Sequence, residues 1–329
     1  MLYLHGLGHF HPENEIDNHF LESLDIGTNE AWITSRVGIR NRRTVLPLDY
    51  IRATKNQDLR AAQEARLYSN AETGRRAALM AIERAGIKPS DIGMVIAGDC
   101  SPDTCIPAES SSIAKLLGIE VPCIDFSSAC STFGAQLHFV GAMSSAMPEW
   151  VLLVVPENTT RVTDFSDRSS AILFGDATAA AVVSTKNPAR AKVVYTDFGG
   201  APSGADDVVI PRIGHFFQNG ATVQKFAIKK MSELLKDIQA RVAAKSDPPG
   251  RLVYVGHQAN LTMLESVARR CAIAPENHYL NIVEYGNQAA AGAPVVLSQR
   301  WADFNPGDTC ACVVVGSGLS WASVQIEFD

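Results

Sequence analysis

Val121-Pro122-Cys123-Ile124-Asp125-Phe126-Ser127-Ser128-Ala129-Cys130-Ser131-Thr132-Phe133-Gly134 reads as a strand, Val121 to Phe126, handed over through small residues to a helix running from Thr132 to Ser145. The same grammar returns later: Asn287 opens a second helix after the strand Tyr279 to Glu284, 157 residues beyond Cys130. Gly98-Asp99 and Gly256-His257 close equivalent strands 158 residues apart. A chain that repeats its order of strands and helices at a constant offset is built from two similar halves.

Working outward, the first half reads as strand Leu2 to Phe10, a helix from Ala71 to Ala85 capped by Asn70 and stopped by Gly86, and strand Met94 to Ala97. Helix Glu109 to Leu117 ended by Gly118, strand Trp150 to Val155 and strand Ile172 to Ser184 complete it around the Cys130 segment. The second half reads as strand Lys192 to Thr196, helix Val223 to Ala244, strand Leu252 to Val255 and helix Leu261 to Arg270. Strand Tyr279 to Glu284, helix Gln288 to Trp301 and strands Thr309 to Val315 and Trp321 to Phe328 follow. Short apolar strands separated by helices predict an α/β fold of two βαβαβαββ halves, 1–186 and 187–329, with mostly parallel sheets covered by helices. Ligands of open α/β sheets bind at C-terminal strand ends, which is where Cys130, His257 and Asn287 fall.

The composition suits a folded globule of 329 residues, with 46% hydrophobic and 19% charged side chains, 24 Gly and 16 Pro. Twenty-nine basic against 35 acidic residues give a net charge of −6, which argues against a nucleic-acid surface. No basic leader and no run of about 18 apolar residues is present, so a soluble, cytoplasmic protein is expected. Seven cysteines without an export signal read as reduced thiols, most of them small buried residues. Cys310 and Cys312 have no second pair to complete a zinc site, and His5, His9 and His11 lack a fourth ligand. No metal is expected.

Cys130 lies where a helix begins, and the helix dipole with its unpaired N–H groups favours a thiolate, the form a nucleophile needs. His257 in Gly256-His257-Gln258-Ala259-Asn260 and Asn287 in Gly286-Asn287-Gln288-Ala289-Ala290 stand at matching places of the repeat. Alone, either would read as a structural or capping residue. Together with Cys130 they read as a functional trio.

These segments, with Phe174-Gly175-Asp176-Ala177, Gly316-Ser317-Gly318-Leu319-Ser320-Trp321 and Glu30-Ala31-Trp32-Ile33-Thr34-Ser35-Arg36-Val37-Gly38-Ile39-Arg40, resemble the ketoacyl-acyl-carrier-protein synthase III family of the thiolase superfamily over nearly the whole chain. The resemblance implies a layered αβαβα thiolase-like fold and a decarboxylative condensation. In that chemistry Cys130 takes an acyl group from a thioester, His257 and Asn287 hold the enolate of a malonyl thioester, and the backbone N–H groups of Cys130 and Ser317 hold the tetrahedral oxyanion. It implies no cofactor beyond coenzyme A or acyl carrier protein as the substrate's carrier. It places Trp32 on the adenine of coenzyme A and Arg36 and Arg161 on its phosphates, with Lys225, Arg269 and Arg270 facing an acidic carrier protein. A homodimer is implied too, because the family completes its acyl pocket across a two-fold axis.

Three positions depart from the family pattern. Ile106 stands where acetyl-specific members place a bulky Phe at the end of the acyl pocket, so a longer primer is expected. Tyr285 replaces the usual His before Gly286-Asn287, and Thr262 stands where a basic docking residue is common. All three favour a specialised relative serving secondary metabolism or an unusual primer. The rival readings are an acyltransferase to a hydroxyl or amine with His257 as base, a hydroxymethylglutaryl-type synthase with Asp99 as its carboxylate, a degradative thiolase with Cys312 as second cysteine, and a non-catalytic partner subunit of another synthase.

Overall fold

Five strands of the first half, β1 (Leu2–Phe10), β2 (Met94–Ala97), β3 (Cys123–Asp125), β4 (Val151–Glu157) and β5 (Ala177–Ser184), pair in the order β3-β2-β4-β5-β1 in a computed structural model. It describes residues 1–143, 146–245 and 250–329. The second half, β6 (Ala191–Gly200), β7 (Leu252–Gly256), β8 (His278–Tyr279), β9 (Thr309–Gly316) and β10 (Ser320–Phe328), pairs as β8-β7-β9-β10-β6. Each half therefore orders its strands third, second, fourth, fifth, first, and the expected repeat is present in the topology. The two sheets join edge to edge where Leu2, Tyr3 and Leu4 pair with Val193, Lys192 and Ala191.

The sheets are mixed rather than mostly parallel. Only the ladders that β2 makes with β3 and β4, and β7 with β8 and β9, are parallel. The last two strands of each half pair antiparallel, joined by a tight turn between Gly316 and Ser320 in the second half, and the first strand pairs antiparallel beside them.

Alternation along the strands builds the layers. Val151, Leu153 and Val155 of β4, and Val253, Val255, Cys310, Cys312 and Val314 of β7 and β9, face one shared core with Phe133, Leu137, Val296 and Leu297 from two central helices. The intervening Leu152 and Val154 face the helices Asn70–Ala85 and Glu109–Leu117. Tyr254, Ala311, Val313 and Val315 face Gly220–Ala243 and Leu261–Arg270 on the opposite side. Two sheets with helices between and outside them are the five layers of an αβαβα arrangement. Helix Asn70–Ala85 lies directly on β1, because a Cβ at Gly6 or Gly8 would come within 2.1 and 2.0 Å of Ala81 O and Ala77 O.

Several expected boundaries shift, each for a local reason. Ser69, not Asn70, caps the helix Asn70–Ala85 in a capping box with Glu72, and the Asn70 side chain is drawn inward to Ser101 O and Asn158. The expected strand Tyr279 to Glu284 stops at Tyr279, and the chain turns at Asn281 into the short helix Ile282–Tyr285. The expected helix Gln288 to Trp301 is a 3-10 turn at Ala289–Ala291, an α-helix at Gly292–Gln299 and another 3-10 turn at Trp301–Asp303. The expected strand Ile172 to Ser184 begins only at Ala177, after Phe174 has paired with Asn287. Helix Thr132–Ala142 is the one expected to reach Ser145, which lies outside the described residues. Residues 11–69 do not belong to the repeat: they form an antiparallel pair of Asn14–Asp17 with Asn41–Thr44 and four helices, among them Glu30–Val37.

Candidate active site

Cys130 follows β3 on a tight turn in which Ala129 takes a left-handed φ of 46°. Side chains lock that turn: Thr132 Oγ1 donates to Ala129 O (2.6 Å) and accepts from Ser128 N (2.8 Å), Ser131 Oγ donates to Ser128 O (2.8 Å), and Ser127 Oγ donates to Asp99 O (2.7 Å). The small residues of the segment are thus the hydrogen-bonding parts of the turn that carries Cys130. Gly316, ending β9, sits against the turn from the other half; a Cβ there would lie 2.9 Å from both Cys130 N and Ser131 N.

His257 enters after β7, its N–H held by Val313 O at 2.9 Å, and is 6% exposed. Asn287 is pinned by Asn287 N to Leu173 O (2.8 Å) and Gly175 N to Asn287 O (3.0 Å). Its Oδ1 accepts from Ala289 N at 2.9 Å, so the amide N–H2 is the group it offers the cleft. Cys130, His257, Asn287 and Ser317 line one cleft of about 540 Å³ together with Trp32 and Arg36. Ser317 spends its hydroxyl on Val208 O at 2.5 Å, which leaves its backbone as the part available to a ligand.

The electrostatics point to Cys130 as the thiolate. A hydrogen bond from the Cys100 thiol, with the charge and hydrogen bond of His257, holds Cys130 well below the ordinary thiol range against the opposing effect of burial. Cys100 is pushed up by that same hydrogen bond, by burial and by Glu157. Glu157, at the end of β4, is fully buried and pushed up by burial; its carboxyl oxygens accept from Cys100 N (3.2 Å) and Ala290 N (3.3 Å). Neither Cys100 nor Glu157 was expected from the sequence, although an acid closing a wholly apolar strand was a readable signal. Asp99 is buried and pushed well up, first by burial and then by Glu109. Cys312 is buried inside the sheet layer with its thiol pushed up to about 12, away from the cleft.

Two stretches of the chain match family profiles: residues 124–202 match the 3-oxoacyl-(acyl-carrier-protein) synthase III profile and residues 252–328 its C-terminal counterpart. A β-ketoacyl-(acyl-carrier-protein) synthase III of Staphylococcus saprophyticus is 30% identical over 328 residues, covering 98% of this chain and 97% of that protein. The chain belongs to the 3-oxoacyl-(acyl-carrier-protein) synthase III family. The crystal structure of the Pseudomonas aeruginosa synthase III superposes with a TM-score of 0.84 at 27% identity, covering 99% and 98% of the two chains. A priming β-ketosynthase of a polyketide biosynthetic pathway superposes with a TM-score of 0.83 at 25% identity, covering 100% and 97%.

One residue expected from the resemblance to meet coenzyme A lies elsewhere. Arg161 does not face the cleft: it is 4% exposed and bonds Asp103, Gln63, Asn158 O and Ser101 O. Beside Arg36, the second arginine at the cleft is Arg168, whose guanidinium lies 4.9 Å over the Trp32 ring. Trp32 and Arg36 project from Glu30–Val37, a helix whose N-cap Asn29 accepts from Trp32 N at 2.9 Å. Ile106 is 86% exposed and does not line the cleft within a single chain. Lys225, Arg269 and Arg270 are exposed, Arg269 beside Glu265, while Thr262 Oγ1 is turned onto Asn260. Tyr285 stacks on His11 with centroids 3.9 Å apart. His5, His9 and His11 spend ring nitrogens on Asn187 O, Ser298 Oγ and Gln288 Oε1.

Proposed function

We propose that this chain is a condensing enzyme that joins an acyl primer to a malonyl unit and releases carbon dioxide. The Cys130 thiolate attacks the carbonyl of an acyl thioester, and the carrier leaves as its thiolate, which takes a proton from water. Sulfur replaces sulfur, so the acyl-enzyme conserves the energy of the bond. A malonyl thioester then enters and its C–C bond to the carboxylate breaks. The electron pair becomes an enolate whose oxygen is held by the His257 ring N–H and the Asn287 amide. The enolate carbon attacks the acyl carbonyl on Cys130, the backbone N–H groups of Cys130 and Ser317 hold the tetrahedral oxyanion, and collapse returns the thiolate and a β-ketoacyl thioester.

The observation that carries this reading is the orientation of Asn287, whose Oδ1 is occupied by Ala289 N, beside His257 in the cleft of Cys130. Transfer to a hydroxyl or amine needs a base but no second side-chain donor for an enolate, and a non-catalytic subunit needs neither. Trp32, Arg36 and Arg168 are proposed to hold the adenine and phosphates of coenzyme A, and Lys225, Arg269 and Arg270 to meet an acidic carrier protein in the cytoplasm. No helix among the described residues is long and apolar enough to cross a membrane.

A homodimer is part of the same proposal. β3 is an edge strand carrying an exposed Ile124, and Phe139 and Met143 are exposed on the following helix and its cap. A two-fold pairing there is proposed to bring Ile106 of each chain to the other's acyl pocket, where its modest size suits a primer larger than acetyl. Secondary metabolism, such as polyketide priming, fits such a primer. Incubation with a panel of acyl-CoA thioesters followed by intact mass tests the first stage. One acyl adduct, lost in Cys130→Ala, is expected; no adduct from any thioester overturns the proposal.

A further inference from the structure

His257 and Asn287 arrive on different elements, yet an enolate oxygen can be shared only if their donors stand at a set separation, and a misplacement of about 1 Å can cost roughly 10²-fold in rate. Each is followed by a fully buried glutamine, Gln258 and Gln288. Gln258 Nε2 donates to Gly256 O at 2.8 Å, and its Oε1 accepts from Asn281 N (3.1 Å) and Ile282 N (3.2 Å), the start of the short helix that leads to Asn287. Gln288 Nε2 donates to Asn281 Oδ1 (2.8 Å) and Gly286 O (3.4 Å), and its Oε1 accepts from His11 Nε2 at 3.2 Å. Asn281 Nδ2 donates to Gln299 Oε1 at 3.0 Å.

Every side-chain polar atom of Gln258, Asn281 and Gln288 is therefore partnered, and the three run from the residue before His257 to the residues on either side of Asn287. A buried polar chain satisfied throughout is rigid and tolerates no half-measure. The backbone pairing of Asn287 with Leu173 and Gly175 fixes it against the first half of the molecule. Nothing in that pairing sets its distance from His257. The Asn281 bridge does.

We propose that Asn281, bonded through its backbone N–H to Gln258 and through its side chain to Gln288, is a positioning residue that sets the separation of the His257 and Asn287 donors. This rests on the condensation reading above. The bridge touches neither substrate nor Cys130, and His257 keeps its own anchor on Val313 O at 2.9 Å, so loss of the bridge displaces Asn287 and falls on the enolate step rather than on acylation.

Asn281→Ala removes the side-chain link, and Gln288→Met removes it again from the other end while keeping length and apolar volume. For both, acylation of Cys130 by acyl-CoA is followed by intact mass, and carbon dioxide release from malonyl carrier protein is followed on the same preparations. The expected result is acylation within twofold of the unsubstituted chain, with a fall of at least tenfold in kcat for decarboxylation at unchanged KM. Two results overturn the proposal: decarboxylation at the full rate in both variants, or acylation and decarboxylation falling together, which marks a residue that serves only the fold. Absence of carbon dioxide from the unsubstituted chain overturns the condensation reading itself and is recognised before any substitution is made.

Discussion

The thiol of Cys100 hydrogen-bonds to the sulfur of Cys130, and the two thiols are driven in opposite directions by it, Cys130 down and Cys100 up. Cys130 thus has a second cysteine as its immediate donor, anchored in turn by Cys100 N on the buried Glu157.

Removing that donor should raise the Cys130 pKa. In Cys100→Ala, iodoacetamide labelling of Cys130 against pH should show a midpoint above that of the unsubstituted chain, and slower labelling at neutral pH. His257 still bonds Cys130 in the variant, so labelling should persist at higher pH. An unmoved midpoint would show that the Cys100 thiol does not hold the charge.

Arg161 and Arg168 should separate stability from binding. Arg161 pairs with Asp103 where both side chains are nearly inaccessible, at 5% and 7% exposure. Arg161→Met leaves that buried carboxylate with only the longer 3.5 Å ion pair to Arg66, a loss of about 3 kcal/mol in denaturant unfolding. Arg168→Ala removes an exposed cation from the Trp32 face, worth roughly 0.5–1 kcal/mol. It should leave Tm within a degree or two while raising the acyl-CoA KM several-fold. A KM effect from Arg161 in a fully stable protein, or none from Arg168, would contradict this assignment.

That Cys130, His257 and Asn287 share one cleft was legible because the repeat places them at matching strand ends, and topology in both halves honours that repeat. Arg161 and Arg168 were not separable in the same way. They lie seven residues apart in a polar stretch without periodicity, and only the tertiary placement of Asp103 decides which is drawn inside. Cys100 and Glu157 escaped notice because a loop brings one, and the end of a buried strand the other, to Cys130 from distant sequence. Residues 11–69 carried readable helix caps in Asp17, Asn29 and Asp58, but no counterpart in the second half to align them with. Asn281 sat inside an expected strand, and it is Gln258 Oε1, capping Asn281 N and Ile282 N, that turns the chain there instead.

His11 should contribute acid sensitivity. Burial lowers its pKa from 6.5 to about 3, so the unfolded chain binds its proton between those values while the folded chain does not. Stability tied to this group is present above pH 6.5 and is lost as pH falls, by about 1.4 kcal/mol per pH unit within that window. Buried acids with raised pKa values, such as Asp176 at about 6, act in the opposite sense, so the comparison must be between variants. His11→Gln should lose less stability between pH 7 and pH 5 than the unsubstituted chain in urea unfolding. Equal slopes would exclude His11 as a source of the pH dependence.

Ile106 should set primer length if chains pair as proposed. Ile106→Phe should lower kcat/KM for long or branched acyl-CoA by about tenfold, since a bulkier side chain that must be displaced from a packed pocket costs about 1–3 kcal/mol. Acetyl-CoA should be little affected. Equal effects on all primers would remove Ile106 from the pocket.

The most direct test of the condensation reading uses malonyl carrier protein labelled in its free carboxylate, supplied to chain already acylated on Cys130. The account predicts one labelled carbon dioxide per β-ketoacyl product, with release cut by about 10²–10³ in Asn287→Ala while Cys130 still acylates. Full release in Asn287→Ala, or transfer of the acyl group to a hydroxyl or amine without carbon dioxide, would contradict it.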